Sequence, residues 1–140
     1  MKQFTRMISL VVLAALLAAC GGGGGGGGLS MTDAAKQFLE ATFKQDKDKA
    51  LAVVCAAYKT AAEATFSAGA AAAGAAEVDL AGVTFTVAKE SGDTGEVAVS
   101  GKIKITVAGQ SQEMDLAQMG TMTNLPMKNE SGWKVCPTAP

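Results

Sequence analysis

Glu96-Val97-Ala98-Val99-Ser100-Gly101-Lys102-Ile103-Lys104-Ile105-Thr106-Val107 reads with a period of two. Val97, Val99, Gly101, Ile103, Ile105 and Val107 fall on one side, and Glu96, Ser100, Lys102, Lys104 and Thr106 on the other. One apolar and one polar face at that spacing means half-buried antiparallel sheet. Gly101 interrupts the apolar row, which marks a bend or the close approach of another backbone.

Strands are predicted on both sides of this one. Upstream, Val83, Phe85 and Val87 alternate with Thr84, Thr86 and Ala88, and Ser91-Gly92-Asp93-Thr94-Gly95 supplies the turn between. Downstream, Gly109-Gln110-Ser111 turns the chain again. Met114 and Leu116 then sit at even positions, but Met119, Leu125 and Met127 at odd ones, and a regular strand cannot turn both sets to one face. A bulge or break near Gly120 is therefore expected. Asn129-Glu130-Ser131-Gly132 makes the last turn, and Trp133 and Val135 point inward on a closing strand.

The sheet is preceded by helical patterns. Ser30 is placed to cap a helix over about residues 31–45, with Asp33 three residues on and Ala34, Ala35, Phe38, Leu39, Thr42 and Phe43 along its inner side. Asp46 or Asp48 starts a second helix, whose stripe of Ala50, Leu51, Val54, Cys55 and Tyr58 turns Cys55 to the core. Residues 60–78 read either as a helix bent at Gly69 and Gly74 or as an alanine-rich connector. The class is α+β: two or three N-terminal helices packed on a curved four-stranded antiparallel meander.

The first thirty residues follow a different logic. Lys2 and Arg6 lead into Met7–Cys20, which carries no charge and is too short for a membrane span of roughly 20 apolar residues. Leu17-Ala18-Ala19-Cys20, followed by the glycines Gly21–Gly28, resembles the signal of bacterial lipoproteins. That resemblance implies removal of residues 1–19 and acylation of Cys20, with two or three chains holding the protein on a bilayer. Residues 20–30 become the lipidated cysteine and a tether reaching roughly 16 Å on average, and residues 31–140 the domain. Gly21, where Asp would signal retention, implies the periplasmic side of the outer membrane.

Of the three cysteines, Cys20 belongs to the lipid on this reading, and Cys55 and Cys136 remain as a pair in an oxidising compartment. They are either bridged, closing a loop worth up to roughly 4.5 kcal/mol in the chain-entropy model, or two buried thiols. Strand parity points Cys136 away from Trp133 and Val135, which counts against the bridge unless the strand twists or ends at Pro137, which cannot donate to the ladder.

Composition bounds the function. The domain of about 110 residues is long enough for one modest core. Loss of Lys2 and Arg6 takes the formal charge from −1 to −3, with no basic patch for nucleic acid. The chain has no histidine, and Tyr58 is its one tyrosine. Asp79 and Asp115 are the only acids near conceivable pocket walls, so a catalytic acid or base, and hence an enzyme, is not expected. Met114, Met119, Met122 and Met127 could offer thioethers to Cu(I), but methionine more commonly fills core gaps, and no metal or cofactor is expected. The glycine run lacks the Lys-Ser/Thr ending of a phosphate loop.

Leu125-Pro126-Met127-Lys128-Asn129-Glu130-Ser131-Gly132-Trp133-Lys134-Val135 resembles the closing hairpin of small bacterial lipoproteins with a cystatin-like domain, in the nuclear-transport-factor-2-like superfamily. Ala34–Lys44 and Asp48–Tyr58 are similar to their helices, while residues 60–78 and 112–122 depart from the pattern. The resemblance implies a cone in which the sheet wraps a long helix, some members keeping a cavity at the wide end. Two functions are then expected. One is an envelope lipoprotein binding a small apolar ligand or peptide in a pocket lined by Phe85, Ile103, Met127 and Trp133. The other is an interaction module that dimerises or meets an envelope protein through the open face of Thr84, Thr86, Lys102, Lys104 and Thr106.

Overall fold

Ser30 Oγ accepts the N–H of Asp33 at 3.1 Å and donates to its carboxylate at 2.6 Å, and helix α1 (Met31–Lys44) begins there. A computed structural model describes residues 28–69, 76–120 and 122–137. The proposed signal, Cys20, the tether as far as Gly27, and Gly74 lie outside them.

Helix α1 ends where Gln45 turns left-handed, with φ 55°. Asp46 Oδ1 then accepts the N–H of Lys49 and starts α2 (Lys47–Val53). The expected stripe through Val54, Cys55 and Tyr58 is not helical. Val54 is extended, forms a parallel bridge with Val135, and is followed by a 3-10 turn over Ala56–Tyr58. Two β-branched residues in a row weaken the helix, and the waiting edge of the sheet decides the outcome. Helix α3 (Lys59–Gly69) follows and buries Ala62 and Phe66.

Six strands form where four are expected: β1 (Glu77–Asp79), β2 (Val83–Ser91), β3 (Thr94–Val107), β4 (Gln110–Asp115), β5 (Asn124–Asn129) and β6 (Trp133–Val135). β3 is the spine of an antiparallel sheet that curls into a half-barrel. Its first half pairs with β2 on one side and β5 on the other, and its second half with β1 and β4.

The register explains the extra strands. Asp79 faces Lys104 and Val83 faces Gly101, so β1 and β2 run in one lane with one residue too many between them. Asp115 faces Lys102 and Asn124 faces Ala98, so β4 and β5 share the opposite lane around a larger insertion. That insertion contains the 3-10 turn Leu116–Met119 and Gly120. The parity conflict between Leu116 and Met127 is resolved by this break, which starts earlier than Gly120.

Helix α1 packs on the sheet, bringing Ala35, Phe38 and Leu39 into one core with Val97, Val99, Ile103, Leu116, Leu125, Met127, Trp133 and Val135. Val107, expected in the buried row, is 47% exposed beside the Ala108-Gly109 turn.

Gly101 is where the spine changes partners. Its φ is +106°, and a Cβ there would stand 2.1 Å from the Gly82 carbonyl oxygen. That carbonyl accepts the N–H of Lys102 at 3.0 Å. Gly101→Ala should therefore destabilise the domain by about 1–3 kcal/mol in urea unfolding, through backbone strain and loss of that contact.

Candidate functional site

Cys55 and Cys136 form a disulfide, with their Cα atoms 5.2 Å apart. Cys136 does have the opposite parity from Val135, but Cys55 has the matching parity because it lies on an extended segment. Val54 is bridged to Val135, the N–H of Cys55 donates to the Val135 carbonyl at 2.9 Å, and the next residue on each segment is a cysteine. The bridge is a lateral link between neighbours, closing a sequence separation of 81 residues. Cys136 is fixed on its other side by its N–H, which donates to the Pro126 carbonyl at 2.7 Å.

Two side chains clasp the same seam. Glu130 Oε2 accepts the N–H of Ala56 at 2.9 Å, and Lys134 Nζ donates to the Ala52 carbonyl at 2.5 Å. The Ala56 N–H, helped by Lys128 at 3.5 Å, holds the Glu130 carboxyl below its ordinary value of 4.5. Sequence reading missed both clasps, since nothing local marks a turn glutamate as the partner of a backbone 74 residues away.

The four residues expected to line a pocket are brought together, and their setting is the core. Ile103, Met127 and Trp133 are 0%, 2% and 8% exposed, while Phe85 packs half-buried at the margin. Two open surface hollows lie elsewhere. One, of about 280 Å³, is lined by Gln37, Glu40, Ala41, Lys44, Asp46 and Lys49. Its charges are already paired as Glu40–Lys44 and Asp46–Lys49, and the hydrogen bond between the latter two lowers the Asp46 pKa and raises that of Lys49. The other, of about 400 Å³, lies between Lys36 and Glu40 of α1 and Val78–Ala81.

Asp79 and Asp115 shape backbone. Asp79 Oδ1 accepts the N–H of Ala81 at 2.8 Å, and Asp115 Oδ1 that of Ala117 at 2.9 Å. Met127 lies in the core, and Met114, Met119 and Met122 pack around it. Among the described residues no group of three or more His, Cys, Asp or Glu is placed to hold a metal ion, and no helix is long and apolar enough to cross a membrane. Thr84, Thr86, Lys102 and Lys104 are exposed, whereas Thr106 is half-buried and its hydroxyl pairs with that of Ser111 at 2.8 Å.

The N-terminal segment enters the fold beside the last turn. The Trp133 N–H donates to the Leu29 carbonyl at 3.3 Å, and Gly28 lies against Gly132. Gly28 and Leu29 therefore sit at the β5–β6 hairpin.

Replacing both bridged cysteines by alanine should lower the unfolding free energy by about 2–4 kcal/mol in denaturant titrations, and reducing agent should move the native chain the same way. For Glu130 the folded pKa is lowered, so its contribution is complete above the unfolded value near 4.5 and is lost as pH falls through the folded one. Glu130→Ala should accordingly melt below the native protein at pH 7, with the gap in Tm closing once the carboxyl is protonated in both states. Compared with protein-family models, curated proteins and solved structures, the chain matches none.

Proposed function

We propose that this chain is a lipid-anchored, non-catalytic protein of the cell envelope, held through acylated Cys20 on the periplasmic side of the outer membrane and acting by binding. The observation that carries the reading is the Cys55–Cys136 bridge. Structural disulfides belong to oxidising compartments. The bridge also uses two of the chain's three cysteines, which leaves Cys20 as the remaining thiol, at the end of a lipoprotein-like signal. The α+β architecture, with a curled sheet around α1, is compatible with the cystatin-like cone of the resembling lipoproteins.

Two modes of binding follow. A small apolar ligand or peptide held among Phe85, Ile103, Met127 and Trp133 requires that part of the core to open, because three of the four side chains are buried. Contact through the surface requires no such rearrangement. Half-buried Phe85 and Val87, which is 44% exposed, leave apolar area at the margin of the sheet. The geometry favours the second mode, an interaction module, with the apolar-ligand cone as the alternative.

The anchor is tested by Cys20→Ser in a double-membraned bacterial host. The native chain should fractionate with membranes, and its intact mass should equal residues 20–140 plus acyl chains and less two hydrogens for the bridge. The variant should leave the membrane fraction or accumulate unprocessed. A variant that matures at the same size and still partitions with membranes overturns the proposal.

A further inference from the structure

The two margins of the sheet are finished differently. At the β6 margin Val54 and Cys55 lie alongside, bonded to Val135 and locked by the disulfide. At the other margin β2 pairs with β3 on its inner side, and among the described residues no strand pairs with its outer side. The Lys102 N–H donates to the Gly82 carbonyl, so Val83 and Gly101 form a non-hydrogen-bonded pair. By alternation the ladder to β3 falls on Thr84 and Thr86, and the backbone N–H and C=O of Phe85 point outward.

The stretch is Val83-Thr84-Phe85-Thr86-Val87, which reads the same in both directions. The outward Val83 N–H already donates to the Leu80 carbonyl at 2.9 Å, which leaves the outward groups of Phe85 and Val87 and the Val83 carbonyl for a partner. Two copies laid antiparallel about Phe85 set valine against valine and threonine against threonine, with Phe85 against its own counterpart on the two-fold axis. A two-fold interface needs such self-complementarity, because each surface meets itself. Aromatic, β-branched and Thr–Thr pairs are also among the favourable cross-strand neighbours. Exposed Val87 and half-buried Phe85 are then covered on the inner face, and Thr84 and Thr86 line the outer one.

We propose that the chain forms a homodimer by antiparallel pairing of β2 with β2 about Phe85, joining two half-barrels into one continuous sheet. The Phe85 N–H of each copy donates to the Phe85 carbonyl of the other. Pairing is short, because the register shift between Val87 and Lys89 bends the strand away. The inference names the partner for the interaction-module reading, and it does not depend on acylation of Cys20.

The register gives the test. In this arrangement Thr84 of one copy faces Thr86 of the other as a non-hydrogen-bonded pair, with Cα atoms about 4.5 Å apart, within reach of a disulfide. Full-length Thr84→Cys and Thr86→Cys chains, oxidised separately and then as a mixture in mild detergent, should yield a crosslinked dimer only when mixed. The crosslink should disappear when Val87→Lys is added, while thermal unfolding by circular dichroism is unchanged. At high protein concentration the native chain should sediment as a dimer and Val87→Lys as a monomer. A native monomer with no crosslink in the mixture overturns the proposal, as does either cysteine variant crosslinking efficiently to itself. Crosslinks only to other envelope proteins also overturn the dimer, yet leave the interaction reading standing.

Discussion

One strand sets the geometry of everything around it. β3 lies between two lanes, and the change of partners falls at Gly101, where the missing side chain lets the Gly82 carbonyl come within bonding distance of the Lys102 N–H. A side chain there would push the β1–β2 lane off the spine. With glycine, the sheet keeps its hydrogen bonds through the change. Ile103, beyond it, stays in the same core as Val97 and Val99 before it.

The spine was legible because its cause is local. Alternation over Glu96–Val107 expresses the pleat itself, and a glycine in the apolar row of such a strand has few explanations. The cap at Ser30 and the start at Asp46 are equally local, each a side chain bonded to a backbone N–H three residues on. What could not be read are the features set by distant chain. Val54 and Cys55 continue a helical stripe in sequence, and they leave the helix because Val135 offers a strand edge. The one-residue excess between Asp79 and Val83 shows only against the register of β3. Likewise, the four-residue group Phe85, Ile103, Met127 and Trp133 was correctly seen as apolar. Sequence carries no sign of whether such a group encloses space or fills it.

The seam between the helices and β6 concentrates long-range bonds in a domain whose core is modest. The disulfide acts chiefly on the unfolded chain, by shortening its largest loop. The Glu130 and Lys134 clasps act on the folded state, satisfying the Ala56 N–H and the Ala52 carbonyl around the bridge. These contributions differ in their sensitivity. The disulfide responds to reductant and not to acid, the Glu130 clasp to acid and not to reductant. An oxidising compartment preserves such a bond, so fixing the segment after α2 covalently fits the proposed location.

Finishing only one margin of the sheet has a consequence for assembly. An exposed edge is normally blunted by charge, proline or a bulge. Here the shift after Val87 and the charges of Lys89 and Glu90 blunt the far end of β2, while Val83–Val87 carries no charge. Five paired residues are a small contact, so pairing between freely diffusing molecules is weak and calls for high protein concentration. Confinement changes that balance. On the proposed anchor, two domains held at one membrane would share a thin layer, and their encounter would be governed by a raised effective concentration and not by the bulk one. The proposed anchor would therefore strengthen a pairing that the free chain makes only weakly, and the blunted far end limits it to one partner and one register.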